Sequence, residues 1–233
     1  MKNLRNRHKK RFINEILHDY TVWKDLTNSD IKALTVPNIG NPWGYFIEDN
    51  LILSASFARY YWASMVRNLL NETDEPVVAE IGGGVGLFAY YLLKSDKPIT
   101  YIDFDLPDTL LTTAYYLMMN FPEKKIFLYE TGECQELTED FLKEYDIVLL
   151  PNYALQKIQN KSVDLFFNTN SLSEMGISTV KECMSQITRT CKKYFFHQNS
   201  DKYALVLRHT EIPSSQFPIP ESTFKEIYKC YSP

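Results

Sequence analysis

The residues that most directly indicate chemistry are four glycines within five positions, the Gly-Gly-Gly-Val-Gly run of residues 82–86. An apolar segment over residues 77–81 precedes the run, and a helical pattern follows it to about residue 94. Glycine costs backbone entropy in a turn, and the usual benefit is a set of backbone amides that approach a ligand closely at a helix N-terminus. The sequence therefore predicts a ligand-binding loop between a buried strand and a helix.

Acidic residues that could hold a ribose follow the second predicted strand. Asp103 and Asp105 lie 19 and 21 residues beyond Gly84, where dinucleotide sites place such an acid. Residues 84–89 also fit the dinucleotide pattern G-x-G-x-x-A. Glu80, at the end of the first strand, would instead repel a pyrophosphate and suits a ligand with ammonium and sulfonium charges. S-adenosylmethionine (SAM) is therefore the favoured ligand, and NAD(P) is the alternative.

Three segments together resemble the sugar O-methyltransferase family of class I SAM-dependent methyltransferases. They read VAEIGGGVG at residues 78–86, YIDFDLP at 101–107 and FNTNSLSEM at 167–175. The glycine segment is common to all class I enzymes, whereas the third segment is more specific to the family. The resemblance covers roughly residues 38–231, and it implies methyl transfer from SAM to a hydroxyl of a small-molecule sugar, glycan or glycosylated acceptor.

The resemblance also implies which residues hold the cofactor. The glycines of the run would bind the methionine and ribose end of SAM, and Glu80 would lie near the methionine ammonium group. Asp105 would accept the ribose hydroxyls, with Asp103 as the second choice, or either could serve only to cap the next helix. The glycines concerned are Gly82, Gly84 and Gly86.

Adenine contacts are expected after the third core strand. With residues 146–150 as that strand, the candidates are Asn152 and Tyr153. Residues 124–130 could be the third strand instead, which would move the adenine site to Glu130. The loop that begins at Asn168 should face the transferable methyl group.

Deprotonation of a sugar hydroxyl requires a base or a metal ion. His197 ends a predicted strand, and catalytic groups of open α/β sheets lie at the carboxyl ends of strands; the alternative is a structural histidine. Glu174 is the second candidate for the base, or an acid that stabilises a helix N-terminus. The resemblance leaves a divalent metal ion open, since some sugar methyltransferases use one, but no cluster of residues demands it and no metal ligands are predicted.

The elements that must position these residues alternate between strand and helix from residue 76 onward. Such alternation predicts an α/β fold with a doubly wound, mostly parallel, Rossmann-like sheet. Residues 76–233 would form the SAM-binding domain and residues 1–75 a helical appendage or lid, with its first helix over residues 12–36. Late strands are expected over residues 194–197 and 203–207, and a final edge strand over 224–231.

Composition and charge exclude several classes of protein. Of the 233 residues, 45% are hydrophobic and 23% charged, as in globular proteins, and no apolar run is long enough to span a membrane. Residues 1–11 carry six Lys or Arg and no acid, whereas the remainder carries 19 basic and 29 acidic residues. An acidic body argues against nucleic-acid binding. The four cysteines have no close spacing, which predicts reduced thiols and a cytoplasmic location.

Overall fold

The computed structural model describes residues 6–130, 136–202, 205–206, 209–210 and 212–230, and the chain divides into two compact units. The first unit comprises Met1–Glu72 and Gly86–Ser95, and the second comprises Thr73–Val85 and Asp96–Pro233. The segment that follows the glycine run thus belongs with the N-terminal residues. The role of residues 1–75 as a lid stays a prediction.

In its described residues, from 6 onward, the first unit contains three α-helices and a two-stranded antiparallel hairpin. These are α1 (Asn6–Thr27), β1 (Tyr45–Ile47), β2 (Asn50–Ile52), α2 (Ser56–Leu69) and α3 (Leu87–Leu93). The fully buried Trp23 packs in an apolar cluster with Ile31, Leu34, Ile52 and Phe57. The hairpin is not among the elements that the sequence predicts.

The first helix is shorter than predicted. It ends at Thr27, and Asn28 has a left-handed backbone with a φ of 50°. The Asn28 N–H donates to the carbonyl oxygen of Lys24 at 2.8 Å, which closes the helix. A separate 3₁₀ turn, Ile31–Leu34, follows and is capped by the Asp30 side chain. The prediction of one helix over residues 12–36 is therefore wrong beyond residue 27.

The second unit is built on a six-stranded parallel sheet with flanking helices, as predicted. The strands are β3 (Val77–Ile81), β4 (Thr100–Asp105), β5 (Ile126–Leu128), β6 (Ile147–Pro151), β7 (Val163–Thr169) and β8 (Cys191–Gln198), in the order β5-β6-β4-β3-β7-β8. The helices are α4 (Pro107–Asn120), α5 (Glu139–Lys143) and α6 (Ile177–Thr190). Strands β4, β5 and β6 all lie on one side of β3 in the sheet. The chain then crosses to the opposite side of β3, where β7 and β8 lie. Ligands of such sheets bind at the carboxyl ends of the strands where the order reverses.

The strand order resolves which segment is the third core strand. β6 pairs with β4, and the earlier strand β5 lies outside β6 at the edge of the sheet. The assignment of residues 146–150 to the position beside the second strand is confirmed. The loop that follows β6 therefore begins at Asn152.

The two faces of the sheet differ in polarity at β3 and β4. Side chains alternate between faces along a strand, and the apolar positions Ala79, Ile81, Ile102 and Phe104 belong to the main apolar core of this unit. The opposite face carries Glu80, Tyr101, Asp103 and Asp105, since β3 and β4 pair with Glu80 beside Asp103. Alternation thus gathers the ionisable residues on one face and the apolar core on the other.

The C-terminal part differs from the sequence-based expectation. β9 (Leu205–Val206) and β10 (His209–Thr210) form a separate antiparallel pair, so only the central part of the strand predicted over 203–207 is seen. Tyr203, Ala204 and Leu207 lie outside the described residues. The edge strand predicted over 224–231 is wrong for residues 224–230, which form no strand, and Tyr231 is outside the described residues. None of the helices in the described ranges combines the length and apolar character that a transmembrane span requires.

Candidate functional site

The glycine run lies at the carboxyl end of β3, beside the point where the strand order reverses. Gly82 and Gly84 have left-handed φ angles of 77° and 61°, which glycine adopts without steric cost. The Gly82 N–H donates to the carbonyl oxygen of Phe104 at 2.8 Å. Gly86 belongs to the first unit, where it precedes α3 with a φ of 81°.

At two positions of the run, Gly82 and Gly83, a side chain would collide with another part of the protein, so only glycine fits. A Cβ on Gly82 would lie 2.5 Å from the Cβ of Ser171, and a Cβ on Gly83 would lie 2.6 Å from Asp103 Oδ1. By contrast, apart from Gly84 itself and its two chain neighbours, no described residue has an atom within 4 Å of the position that a Cβ on Gly84 would take. The loop is therefore tightly packed at its start and open at Gly84.

The two aspartates at the end of β4 hold the glycine loop through backbone amides. The N–H of Gly83 donates to Asp103 Oδ1 at 3.0 Å, and the N–H of Gly84 donates to Asp105 Oδ2 at 2.9 Å. Asp105 Oδ1 also accepts from the N–H of Leu106 at 2.6 Å. The amides of Gly83 and Gly84 thus bind carboxylates of the protein itself, and the loop has an acidic lining.

A buried acidic cluster extends from this lining into the sheet. Glu80 is 1% exposed, and Asp103 and Tyr101 are fully buried. The Tyr101 hydroxyl donates to Glu80 Oε2 at 2.6 Å. Asp103 Oδ2 is buried and makes no hydrogen bond to any described residue. Burial, followed by the charges of Glu80 and Asp105, raises the pKa of Asp103 well above its usual range.

Asn168 joins the ends of three strands and is fully buried. Its Nδ2 donates to the carbonyl oxygen of Ile81 at 2.7 Å and to Ser171 Oγ at 2.5 Å. Its Oδ1 accepts from Nδ2 of Asn199, which follows β8, at 2.7 Å. The Ser171 hydroxyl also donates to the carbonyl oxygen of Ile81 at 2.7 Å. Both Nδ2 hydrogens of Asn168 are therefore used within the protein, so its side chain positions the loops at the carboxyl ends of these strands.

Asn152 and Tyr153 follow β6 directly, as the adenine assignment requires. Asn152 Oδ1 is buried and has no hydrogen-bond partner among the described residues. Tyr153 is 53% exposed, and its ring packs edge-on against Tyr129 with centroids 6.0 Å apart. β6 pairs with β4 so that Pro151 lies beside Asp105. Asn152 is therefore at the same edge of the sheet as the aspartates.

The two candidate bases occupy different environments. His197 lies beside Asn168 in the pairing of β7 with β8, on the same face of the sheet as Phe195 and hence on the face opposite Glu80 and Asp103. Its ring packs on Phe195 and Phe217, with centroids 5.1 and 5.4 Å away. Burial, followed by the charge of Lys229, lowers the pKa of His197.

Glu174 is exposed and lies in the turn between β7 and α6. The roles of His197 and Glu174 in proton transfer stay predictions. No group of three or more His, Cys, Asp or Glu side chains within the described ranges is arranged to bind a metal ion.

Three residues of the site were not singled out from the sequence. They are Tyr101, which binds Glu80; Asn199, which binds Asn168; and Thr113, whose hydroxyl donates to the carbonyl oxygen of Gly84 at 2.5 Å. The sequence could have indicated Tyr101, because it lies two residues before Asp103 and four before Asp105 on one strand. Side chains at this spacing share a face of the sheet. Asn199 and Thr113 reach the site only through tertiary packing.

Comparisons with known proteins add little about function. No family model matches the sequence, and no curated protein matches it. Similar solved structures include a proposed O-methyltransferase from Nostoc punctiforme, with 15% identity, a TM-score of 0.40 and coverage of 59% of this chain and 36% of that chain. A protein from Pyrococcus horikoshii has 12% identity, a TM-score of 0.39 and coverage of 59% and 58%. An O-methyltransferase family protein from Burkholderia thailandensis has 11% identity, a TM-score of 0.34 and coverage of 57% and 38%.

The chain spans less than two thirds of the length of each of these proteins. Similarity at this level carries no argument about activity. The function must therefore be inferred from the residues of the chain itself.

Proposed function

We propose that the chain is a SAM-dependent O-methyltransferase that transfers a methyl group to a hydroxyl of a sugar or glycosylated acceptor. The observation that carries the proposal is the carboxylate lining of the glycine loop. In this lining, Asp103 and Asp105 accept hydrogen bonds from the backbone amides of Gly83 and Gly84. A dinucleotide would need such amides for its pyrophosphate and would meet negative charge instead. A cationic nucleoside such as SAM suits the same lining.

The residues at this edge of the sheet fit the chemical groups of SAM. Each carboxylate oxygen of Asp105 accepts a hydrogen bond from one backbone amide. Each also keeps a lone pair that can accept a hydrogen bond from a ribose hydroxyl. Asn152 Oδ1, for which no residue in the described ranges is a hydrogen-bond partner, can accept from the adenine amino group. Glu80 is assigned to the methionine ammonium group, and the open space beside Gly84 admits a ligand close to the loop. When bound, SAM supplies a methyl group activated by its sulfonium charge.

The acceptor side of the proposal is supported by neutral polar groups after β7 and β8. Asn170 is exposed in the loop after β7, and the adjacent Ser171 is partly exposed; Gln198 and Asn199, at the end of the neighbouring strand β8, are also partly exposed. Amides and hydroxyls of this kind hydrogen-bond to the hydroxyls of a carbohydrate.

Two residues are candidates for removing the proton of the acceptor hydroxyl. We assign this role first to His197, because its lowered pKa keeps the imidazole neutral and able to accept a proton near neutral pH. Glu174 is the second candidate, because it is an exposed carboxylate in the same loop as Asn170.

Calorimetry tests the donor site. Wild-type protein is titrated with SAM, S-adenosylhomocysteine and NAD⁺, and the titrations are repeated with Asp105→Ala. Asp108→Ala is the matched control, because Asp108 is an exposed aspartate on the neighbouring helix α4. We expect SAM and S-adenosylhomocysteine to bind to the wild type and the control and to lose binding in Asp105→Ala. Binding of NAD⁺ in their place would refute the assignment.

A transfer assay tests the acceptor class. Protein and SAM with a radiolabelled methyl group are incubated with sugars, glycosides and the matching aglycones. Label on the sugars or glycosides but not on the aglycones is expected. Donor binding with no transfer to any acceptor would indicate a SAM-binding protein without catalytic activity.

A further inference from the structure

Helix α4 of the second unit is apolar on its outer face as well as on its inner face. The inner face contains the buried residues Thr113, Tyr116 and Leu117, and the helix packs against β4 and β6. The outer face exposes four large apolar side chains, with exposed fractions between 43% and 73%: Leu111, Tyr115, Met118 and Met119. The other three lie three or four positions from Tyr115, so all four form one stripe along the helix, which we call the α4 stripe.

Helix α6 shows a polar outer face on the same sheet. Both helices contain 14 residues, and the exposed residues of α6 include Lys181, Glu182 and Ser185. By contrast, the sequence over residues 109–122 contains no charged residue. A helix that is apolar all round is normally buried on every side, and a contiguous apolar patch on a protein surface is typical of an interface. The α4 stripe therefore has the character of a surface that a second molecule covers.

The distribution of charge favours a second copy of the chain as that molecule. Beyond its first 11 residues the chain carries 19 basic and 29 acidic residues, so the acidic bodies of two copies repel each other. The uncharged α4 stripe is a place where two copies can meet without bringing like charges together. A charged protein partner or an anionic membrane would be selected by charges beside the apolar residues, and residues 109–122 supply none.

We propose that two copies of the chain form a homodimer through the α4 stripe, with a two-fold axis close to Tyr115. Such an interface uses the same surface on both copies, so each stripe covers the other. Because Tyr115 is in the middle of the stripe, an axis perpendicular to the helix brings Leu111 of each copy near Met119 of the other. The nearest charged residues of the sequence, Asp108 and Glu123, lie beyond the two ends of the stripe, where the rim of an interface is polar.

The size of the stripe predicts a weak dimer. A helix of this length is about 20 Å long and about 10 Å wide. A standard protein interface covers about 800 Å² on each partner, and one helix face supplies only part of that area. Association should therefore be reversible and should depend on protein concentration.

Sedimentation velocity on the ligand-free protein tests the proposal, at concentrations from about 1 to about 500 μM. We expect the average mass of the wild type to rise with concentration from that of one chain toward that of two. Tyr115→Glu places a carboxylate on each copy near the axis and should weaken association at least about tenfold. Ser185→Glu is the matched control, because it adds the same charge at an exposed position of α6 and should leave association unchanged.

Two outcomes would overturn the proposal. A wild-type chain that stays monomeric over the whole range would show that the stripe does not bind a second copy and serves a different molecule. Equal association of Tyr115→Glu and Ser185→Glu would show that the copies meet through another surface. If circular dichroism shows that Tyr115→Glu is unfolded, Met119→Glu decides, because it adds the same charge elsewhere on the exposed stripe. No methyl donor takes part in the measurement, so its result is independent of the proposed function.

Discussion

Removal of the Asn168 side chain should destabilise the second unit, because this residue links the ends of β3 and β7 to the loop after β8. Its amide makes three hydrogen bonds, to the Ile81 carbonyl, Ser171 Oγ and Asn199 Nδ2, and it is fully buried. At about 1 kcal/mol for each bond, Asn168→Ala should cost roughly 2–4 kcal/mol. In a chain of this size that loss lowers the melting temperature by about 5–15 °C.

Asn168→Asp gives a sharper test, because the shape is kept while the donors to the Ile81 carbonyl and Ser171 are lost. A carboxylate buried against a carbonyl oxygen has its pKa raised above the unfolded value of about 3.9. The variant should therefore lose stability as the pH rises from about 4 through the folded-state pKa.

Urea denaturation followed by circular dichroism at pH 5 and pH 8 measures both effects. Asn68→Ala is the control, since Asn68 is exposed on α2. If Asn168→Ala differs from this control by less than about 0.5 kcal/mol, these hydrogen bonds do not hold the strand ends together.

Three further changes test the packing around the site. Gly82→Ala should cost more stability than Gly84→Ala in thermal melts, because both have positive φ angles but only Gly82 would place its new methyl 2.5 Å from a neighbouring side chain; equal losses would contradict the close packing. Tyr101→Phe should cost about 1–3 kcal/mol in urea denaturation, since it removes the hydroxyl that donates to the buried Glu80, and an unchanged midpoint would argue against that bond. The lowered pKa of His197 means that stability is lost as the pH falls below the ordinary value of 6.5 toward the folded-state pKa. His197→Phe should flatten this part of the pH–stability curve measured by thermal melts between pH 5 and 7.5, and an identical slope would show that His197 does not titrate as described.

Local patterns in the sequence predict much of the site. The apolar run before the glycines and the alternation of Tyr101, Asp103 and Asp105 with apolar residues indicate buried strands, because a strand repeats every two residues. Glycine at 82 and 84 indicates a turn with positive φ, which the structure contains. These features depend on neighbours in the chain, so a sequence pattern can reveal them.

Other features depend on contacts between residues far apart in the chain. The order of β5 and β6 in the sheet could not be decided from two similar apolar segments, because pairing with β4 selects between them. The position of His197 on the face opposite Glu80 follows from the register of β3, β7 and β8. The binding of the glycine amides by Asp103 and Asp105 likewise requires β3 and β4 to be adjacent.

Residue types and short-range spacing by themselves determined that this chain has a glycine loop, buried strands and acids about 20 residues beyond the loop. Only the tertiary structure decided that those acids bind the loop amides and that Asp103 is fully buried. The physical reason is that hydrogen bonds and burial depend on which distant segments come together, and a one-residue change of register would turn the same side chains to the other face.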